Sequence, residues 1–363
     1  MSEKKPIRVG IIGVGNCAAA LVQGTFYYSS VEQDKWYPGL ANPFVGPYQP
    51  SDVRFVSAFD VNSNKIGKDL SEAIFVAPNN TLKFSEVPHL GCTVHASPRL
   101  DGIGGQYQNR ISVTECSKAE VLEEIRRSEV EVLVNYLPVG SSAATEWWAE
   151  CALEAGCAFV NCIPVFIASR EEWSDRFKKA GLPLFGDDIK SQVGATILNR
   201  VLSETFTSRG AEIEHMYQLN FGGNMDFLNM LGGARLDSKR ASKRGAVTSS
   251  LPHPIKDENL HVSPSDYVPW LTDQKVAYIR IEALGFGGTP MSFEARLQVW
   301  DSPNSAGIVI DAVRCARLAM EQGLSGAIGG PSAYLFKTPP KQYSDAEALK
   351  MMQAFSGHGN NPE

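Results

Sequence analysis

Arg8 to Gly24 reads RVGIIGVGNCAAALVQG: an apolar run dense in valine and isoleucine, then glycines, then an alanine-rich stretch. β-Branched residues suit a pleated strand and alanines a helix, so the stretch predicts strand, tight turn, helix. Gly13-Val14-Gly15-Asn16-Cys17-Ala18 is G-x-G-x-x-A, and it stands at the strand-to-helix junction where that pattern carries meaning. The first glycine permits the turn, the second lets backbone approach a pyrophosphate, and Ala18 allows close helix–strand packing. The helix N-terminus then offers free N–H groups and positive potential to phosphates. We therefore expect Gly13, Gly15, Asn16 and Cys17 to contact a dinucleotide.

Outward from this turn the pattern repeats. The apolar runs VRFVSAFDV (53–61), VEVLVNYLP (130–138), AFVNCIP (158–164) and PLFGDD (183–188) are separated by helical stretches such as AATEWWAECALEAG (143–156). Short, continuous apolar strands alternating with helices predict an α/β fold with a doubly wound parallel sheet covered on both faces. Asp60 ends the second strand, where a carboxylate accepts the adenosine ribose hydroxyls and repels a 2′-phosphate, which favours NAD over NADP. Its distance from the glycine turn is stretched by residues 27–50, whose aromatics, Gly and Pro predict an ordered loop packed on a neighbour. Asp69 is a weaker candidate for the same role, with a helix-surface carboxylate as its alternative. Tyr136, in NYLPVGS (135–141), follows another strand and is expected on the nicotinamide side.

Beyond Lys190 the character changes. IEHMYQLNFGG (213–223), KVAYIRIEALGFGG (275–288) and FEARLQVW (293–300) are longer, partly alternating runs without a helix between each, which predicts a second, largely antiparallel layer. SAGIVIDAVRCARLAMEQG (305–323) has apolar positions at helical spacing and is expected to return to the first domain. The predicted organisation is a dinucleotide-binding Rossmann domain from 1–190 plus 302–363, with an inserted α+β domain from 191–301.

Composition narrows the function. With 363 residues, two cores are expected. Thirty-four Lys and Arg against 40 Asp and Glu leave a net charge of −6, which argues against a general affinity for nucleic acid or acidic lipid. Seven cysteines at irregular spacing, without C-x-x-C, predict free and mostly buried thiols. No apolar signal core precedes the first strand, and no run reaches the length of a membrane span, so a cytoplasmic protein without membrane contact is expected. Six scattered histidines offer no metal motif, and G-x-S-x-G is absent.

Candidate chemistry concentrates in charged strings. Gly186-Asp187-Asp188-Ile189-Lys190-Ser191 places carboxylates, a cation and a hydroxyl at the predicted domain boundary, where clefts lie. Asp188 can bind a cation or orient an ammonium, Ser191 can donate to a phosphate or to the cofactor, and either aspartate can equally be an N-cap. Arg235, Lys239 and Lys243 recur at helical spacing in ARLDSKRASKR (234–244), with Arg240 beside them. Such a ridge suits a phosphorylated substrate, and it also fits a solvated basic face. Asp226 can pair with Lys239 or with the cofactor.

The ordered strings IGVGNCA (12–18), NYLPVGS (135–141), GDDIKSQVGAT (186–196), LNFGGNMDFLNML (219–231), SKRASK (238–243), VWDSPNSAG (299–307) and SAYLFKTPP (332–340) resemble the inositol-3-phosphate synthase family in its short prokaryotic form. The resemblance covers nearly the whole chain. It implies conversion of glucose 6-phosphate to inositol phosphate with NAD recycled in each turnover. Carbon 5 is oxidised, carbon 6 is enolised, the ring closes onto the carbon 1 aldehyde, and carbon 5 is reduced again. It implies Lys239, Lys243, Lys275 and Lys337 as catalytic or phosphate-contacting lysines and Asp188 and Asp301 as the accompanying carboxylates. It also implies NAD contacts from Ser191, Asp226 and Lys239, a homotetramer, and a cation that is divalent (zinc) in some members and monovalent in others. Two other readings fit an NAD fold: an ordinary dehydrogenase acting on a phosphorylated sugar, and a non-catalytic NAD sensor. The sensor reading lacks a DNA-binding module.

Overall fold

The computed structural model describes residues 5–33, 35–104, 109–231 and 255–357. Strand β1 (Ile7–Ile12) runs into helix α1 (Asn16–Tyr27), and β2 (Val53–Asp60) is followed by the single-turn α2 (Leu70–Ala73) and the short β3 (Val94–Ala96). Helices α3 (Lys118–Arg127), α4 (Ser142–Ala155) and α5 (Glu171–Lys179) alternate with β4 (Val132–Asn135), β5 (Ala158–Asn161) and β6 (Pro183–Phe185). A long C-terminal helix returns to this layer, as described below, and with it β11 (Gly326–Ala327). All pairings are parallel, in the order β11-β6-β5-β4-β1-β2-β3. Strand order reverses between β1 and β4, so the crevice at their carboxyl ends is the place where such a sheet binds a ligand.

Continuous apolar runs become buried strands because both faces are covered. In β4, Val132 and Val134 face one core and Leu133 the other; in β5, Ala158 and Val160 face the first and Phe159 the second. The first core contains α1 and the second contains α3, α4 and α5.

The second layer comprises α6 (Ala195–Ser208), β7 (Glu212–Gly222), α7 (Met225–Met230), β8 (Leu260–Tyr267), β9 (Gln274–Leu284) and β10 (Pro290–Trp300). Its strand order is β10-β9-β7-β8. The expected antiparallel layer is mixed: β10–β9 and β9–β7 are antiparallel, but β7–β8 is parallel. A parallel neighbour cannot be joined by a tight hairpin, and α7 follows β7 in the chain. Leu198, Leu202 and Phe206 of α6 pack on Met216, Ala277 and Ile281 of the sheet.

Helix α8 (Pro303–Glu321) then returns to the first core, where Val309, Ile310 and Val313 are fully buried, and α9 (Gly329–Leu335) and α10 (Asp345–Ser356) complete the described chain. The 27–50 loop is ordered by α8. Arg314, fully buried, donates to the carbonyls of Asn42 (2.6 Å), Pro43 (2.9 Å) and Tyr48 (3.2 Å) and pairs with Asp311. A guanidinium has five N–H donors in a fixed fork, which lets one side chain satisfy several loop carbonyls. Among the described residues no helix is long and apolar enough to cross a membrane.

Candidate active site

The glycine turn lies between β1 and α1. Gly13 has φ +88°, and a Cβ there would stand 2.8 Å from the Tyr136 carbonyl oxygen, so both backbone conformation and space demand glycine. Gly15 differs: a Cβ would meet nothing within 4 Å. It borders the cleft and precedes α1 without a side-chain cap, leaving the helix N-terminus open on the ligand side. This is the cradle a pyrophosphate requires.

Asp60 borders the same cleft, and its carboxylate also holds the turn. Oδ2 accepts the Val14 N–H at 2.8 Å and Oδ1 the Asn62 N–H at 2.8 Å. The Val14 carbonyl is held by Lys65, which is 2 % exposed, at 2.6 Å. Lys65 also donates to Asn79 (3.0 Å) and lies 3.8 Å from Asp60. Burial pushes its pKa down, against the pull of Asp60. Lys65 escaped the sequence reading because an isolated lysine reads as a solvated side chain.

Asn16 faces out of the turn onto other segments. Its Oδ1 accepts the N–H groups of Asn80 (2.8 Å) and Thr81 (3.2 Å), and its Nδ2 donates to Asn80 (2.7 Å) and Asp273 (3.1 Å). The Cys17 thiol is pushed up to about 12, first by burial and then by the nearby Asp273 charge, so it is a protonated group lining the cleft. Tyr136 also lines the cleft, and its buried hydroxyl has no hydrogen-bond partner among the described residues. Asp69 requires correction. It does not border the cleft: its carboxylate caps α2 through the Ser71 N–H (2.9 Å) and accepts the Leu90 (3.1 Å) and Cys92 (3.0 Å) N–H groups. Main-chain N–H groups, rather than solvent, engage this carboxylate.

The GDD string and the SAYLFKTPP string meet through a backbone bridge between Ile189 and Phe336. Asp187 and Thr338 exchange main-chain hydrogen bonds, and Lys337 N–H donates to the Asp188 carbonyl at 2.7 Å. This places the Lys337 ammonium 2.7 Å from Asp188 Oδ1, inside the cleft wall. Asp188 itself has φ +61°, in the left-handed region that a non-glycine residue enters only where its surroundings impose it. The neighbouring Asp187 is structural: its carboxylate accepts the N–H groups of Ile167, Ala168 and Ser169, each at 3.0 Å. Burial nevertheless raises it to about 6. Lys190 is buried behind the pair, donating to the Ala333 carbonyl (2.8 Å) and lying 3.5 Å from Asp345. Burial lowers it to about 8, with Asp345 opposing.

The second pair forms at the end of the β9–β10 hairpin. The register sets Val299 opposite Lys275, so the next turn of chain brings Asp301 to 3.2 Å from Lys275 Nζ. Ser191 and Asp226 also border the cleft, Asp226 in the first turn of α7. The cleft has a volume of about 260 Å³ and is lined by the glycine turn, both lysine–carboxylate pairs and the 97–103 loop, whose Arg99 was not anticipated. Lys239, Lys243, Arg235 and Arg240 lie outside the described residues, so the basic ridge has no structural account here. Among the described residues no three His, Cys, Asp or Glu side chains stand together as a metal-ion site. All seven cysteines are free thiols, five of them buried.

Residues 194–302 match the family model described as myo-inositol-1-phosphate synthase. The chain is 51 % identical over 353 residues to the inositol-3-phosphate synthase of Mycolicibacterium smegmatis, covering 96 % of this chain and 97 % of that protein. It is 48 % identical to the inositol-3-phosphate synthase of Corynebacterium glutamicum, over 96 % of this chain and 98 % of that one. A crystal structure of a myo-inositol-1-phosphate synthase-related protein from Thermotoga maritima superposes with a TM-score of 0.79 at 25 % identity, over 97 % of this chain and 98 % of the other. At about half identity with near-complete coverage in both directions, the chain belongs to the inositol-3-phosphate synthase family, isomerase-type enzymes of inositol biosynthesis.

Proposed function

We propose that this chain converts D-glucose 6-phosphate to 1D-myo-inositol 3-phosphate, with NAD used and regenerated in each turnover. The observation that carries this reading is the convergence of a dinucleotide-type glycine turn and two lysine–carboxylate pairs, Lys337–Asp188 and Lys275–Asp301, on one cleft. A dehydrogenase needs one group to move one proton; a cyclising isomerase must also stabilise enolate and alkoxide oxygens. Two preorganised ammonium groups supply that second need.

The residues present fit NAD. Gly15 leaves room at the N-terminus of α1 for a pyrophosphate, and Asp60 keeps acceptor capacity for ribose hydroxyls beyond its two backbone bonds. Tyr136 is assigned to the nicotinamide side, with Ser191 and Asp226 as further contacts. When bound, NAD supplies the hydride acceptor and donor for carbon 5 of the sugar. Lys337 and Lys275 face the substrate oxygens that become negative as carbon 6 loses its proton and the ring closes, while Asp188 and Asp301 fix the two ammonium groups. The buried cation of Lys190 adds positive potential behind Lys337. Lys239 and Lys243 are assigned to the substrate phosphate and to catalysis on the family's motif alone.

We assign 1–190 plus 302–363 to cofactor binding and 191–301 to catalysis and assembly into a homotetramer. Tyr217 and Tyr278, diagonal neighbours on adjacent strands of the second sheet, are 36 % and 42 % exposed on the face away from α6, which supports an oligomer contact there. Incubation of the purified protein with glucose 6-phosphate and NAD, followed by phosphorus NMR, is expected to give inositol phosphate without accumulation of NADH. Stoichiometric NADH release would favour the ordinary dehydrogenase instead.

A further inference from the structure

Asp273 borders no part of the cleft and is 0 % exposed, yet its carboxylate meets three segments that do border it. Oδ1 accepts from Asn16 Nδ2 of the glycine turn (3.1 Å), from Asn224 Nδ2 (3.0 Å) and from Ser302 Oγ (3.0 Å). Oδ2 accepts the Ser302 N–H at 3.3 Å. The Asp273 main-chain carbonyl holds the Asp301 N–H at 2.8 Å. Asn224 is itself the N-cap of α7, accepting the Asp226 N–H at 3.1 Å. Resting on the function proposed above, we propose that Asp273 is a positioning residue that joins the cofactor-binding turn to the Lys275–Asp301 pair, fixing the separation between the hydride site and the proton-handling site.

The chemistry requires a carboxylate. Four donors converge on it, and an ionised carboxylate is acceptor-only, with room for all of them. An asparagine keeps the shape, but its amide nitrogen must face a donor. If its oxygen stays with the three side chains, its NH₂ meets the Ser302 N–H, and the start of α8 is pushed away together with Asp301. Burial, then the Asp301 charge, raises Asp273 to about 6. The ionisable groups that face it from the packed elements are Asp301 and Cys17, with Lys275 beyond Asp301. Protonation as pH falls through about 6 removes an acceptor from the junction.

The test compares wild type with Asp273→Asn by NAD titration calorimetry and by kcat and KM for glucose 6-phosphate between pH 5 and 8. Misplacing the reacting groups without touching substrate lowers kcat about 10-fold or more while KM for the sugar stays within about 2-fold. NAD affinity falls about 5-fold, and the acid limb of the kcat profile near pH 6 shifts down or disappears in the variant. A purely structural role moves thermal stability but leaves the pH limb and the kcat-to-KM split as in wild type, which would overturn the inference. So would wild-type kcat and NAD affinity in the variant. If Asp273→Asn does not yield folded protein, Ser302→Ala removes one strut and leaves the Ser302 N–H; a smaller loss of kcat at constant sugar KM supports the role, and unchanged kcat sinks it. A wild-type protein that binds NAD but makes no inositol phosphate refutes the proposed function, whereas the NAD affinity of Asp273→Asn still reads the junction separately.

Discussion

The glycine turn and the two lysine–carboxylate pairs border one cleft, but they are assembled in opposite ways. The turn is six consecutive residues whose sharp bend is permitted locally, by the missing Cβ of Gly13 at φ +88°. The pairs join residues far apart in the chain, Lys337 to Asp188 across 149 positions and Lys275 to Asp301 across 26. A consecutive motif can place a cofactor; only folded segments can place a cation beside its carboxylate. The two parts should therefore fail differently when mutated, the turn in NAD binding and the pairs in turnover.

The largest expected effect tests the pairs. Lys337→Ala removes an ammonium aimed at developing negative charge, and such a donor is worth about 100- to 1,000-fold in kcat. NAD affinity, measured by calorimetry, should stay within about 2-fold because no turn residue is touched. Equal loss of both would erase the distinction drawn here.

The glycines sharpen the comparison within the turn. Gly15→Ala places a methyl into open cleft space, so thermal stability should hold while NAD affinity falls about 10-fold or more through lost backbone approach. Gly13→Ala must strain the backbone and meet the Tyr136 carbonyl, so stability itself should drop by about 1–3 kcal/mol in a denaturant melt. If the two variants behave alike, the open space at Gly15 is not where the ligand lies.

A smaller change is expected for Lys65→Met. The substitution keeps bulk but removes the ammonium that holds the Val14 carbonyl and faces Asp60, and NAD affinity should fall about 3- to 10-fold with kcat at saturating NAD little changed. A fall in kcat at saturating NAD with affinity intact would place Lys65 in the wrong half of the comparison. The smallest effect belongs to Asp69→Ala, which loses a helix cap: about 1 kcal/mol of stability, with NAD affinity and turnover as in wild type. Any change in NAD affinity would restore Asp69 to the cofactor site.

The residues themselves show where sequence reading stops. Asp187 and Asp188 are adjacent carboxylates that either could serve as cap or as catalytic partner; the fold turns Asp187 into the main-chain N–H groups of 167–169 and Asp188 toward Lys337. Asp273 lies two positions before Lys275 in a string whose lysine was recognised, but a buried aspartate has no local signature. The parallel β7–β8 pairing was equally hidden, because strand propensity carries no direction.

Residue order alone determined the strand-turn-helix of the glycine motif, the alternation that makes a parallel sheet, and the helix that returns after Trp300. Those features depend on neighbours one to four positions away, and side-chain preferences act at that range. Tertiary structure decided which carboxylate meets which lysine, that the Asp69 carboxylate gathers N–H groups from two separate stretches, and that Asp273 sits at the junction of three segments. Each of these depends on backbone hydrogen bonds between distant stretches, such as the bridge from Ile189 to Phe336, and such a bond is set by how the whole chain packs.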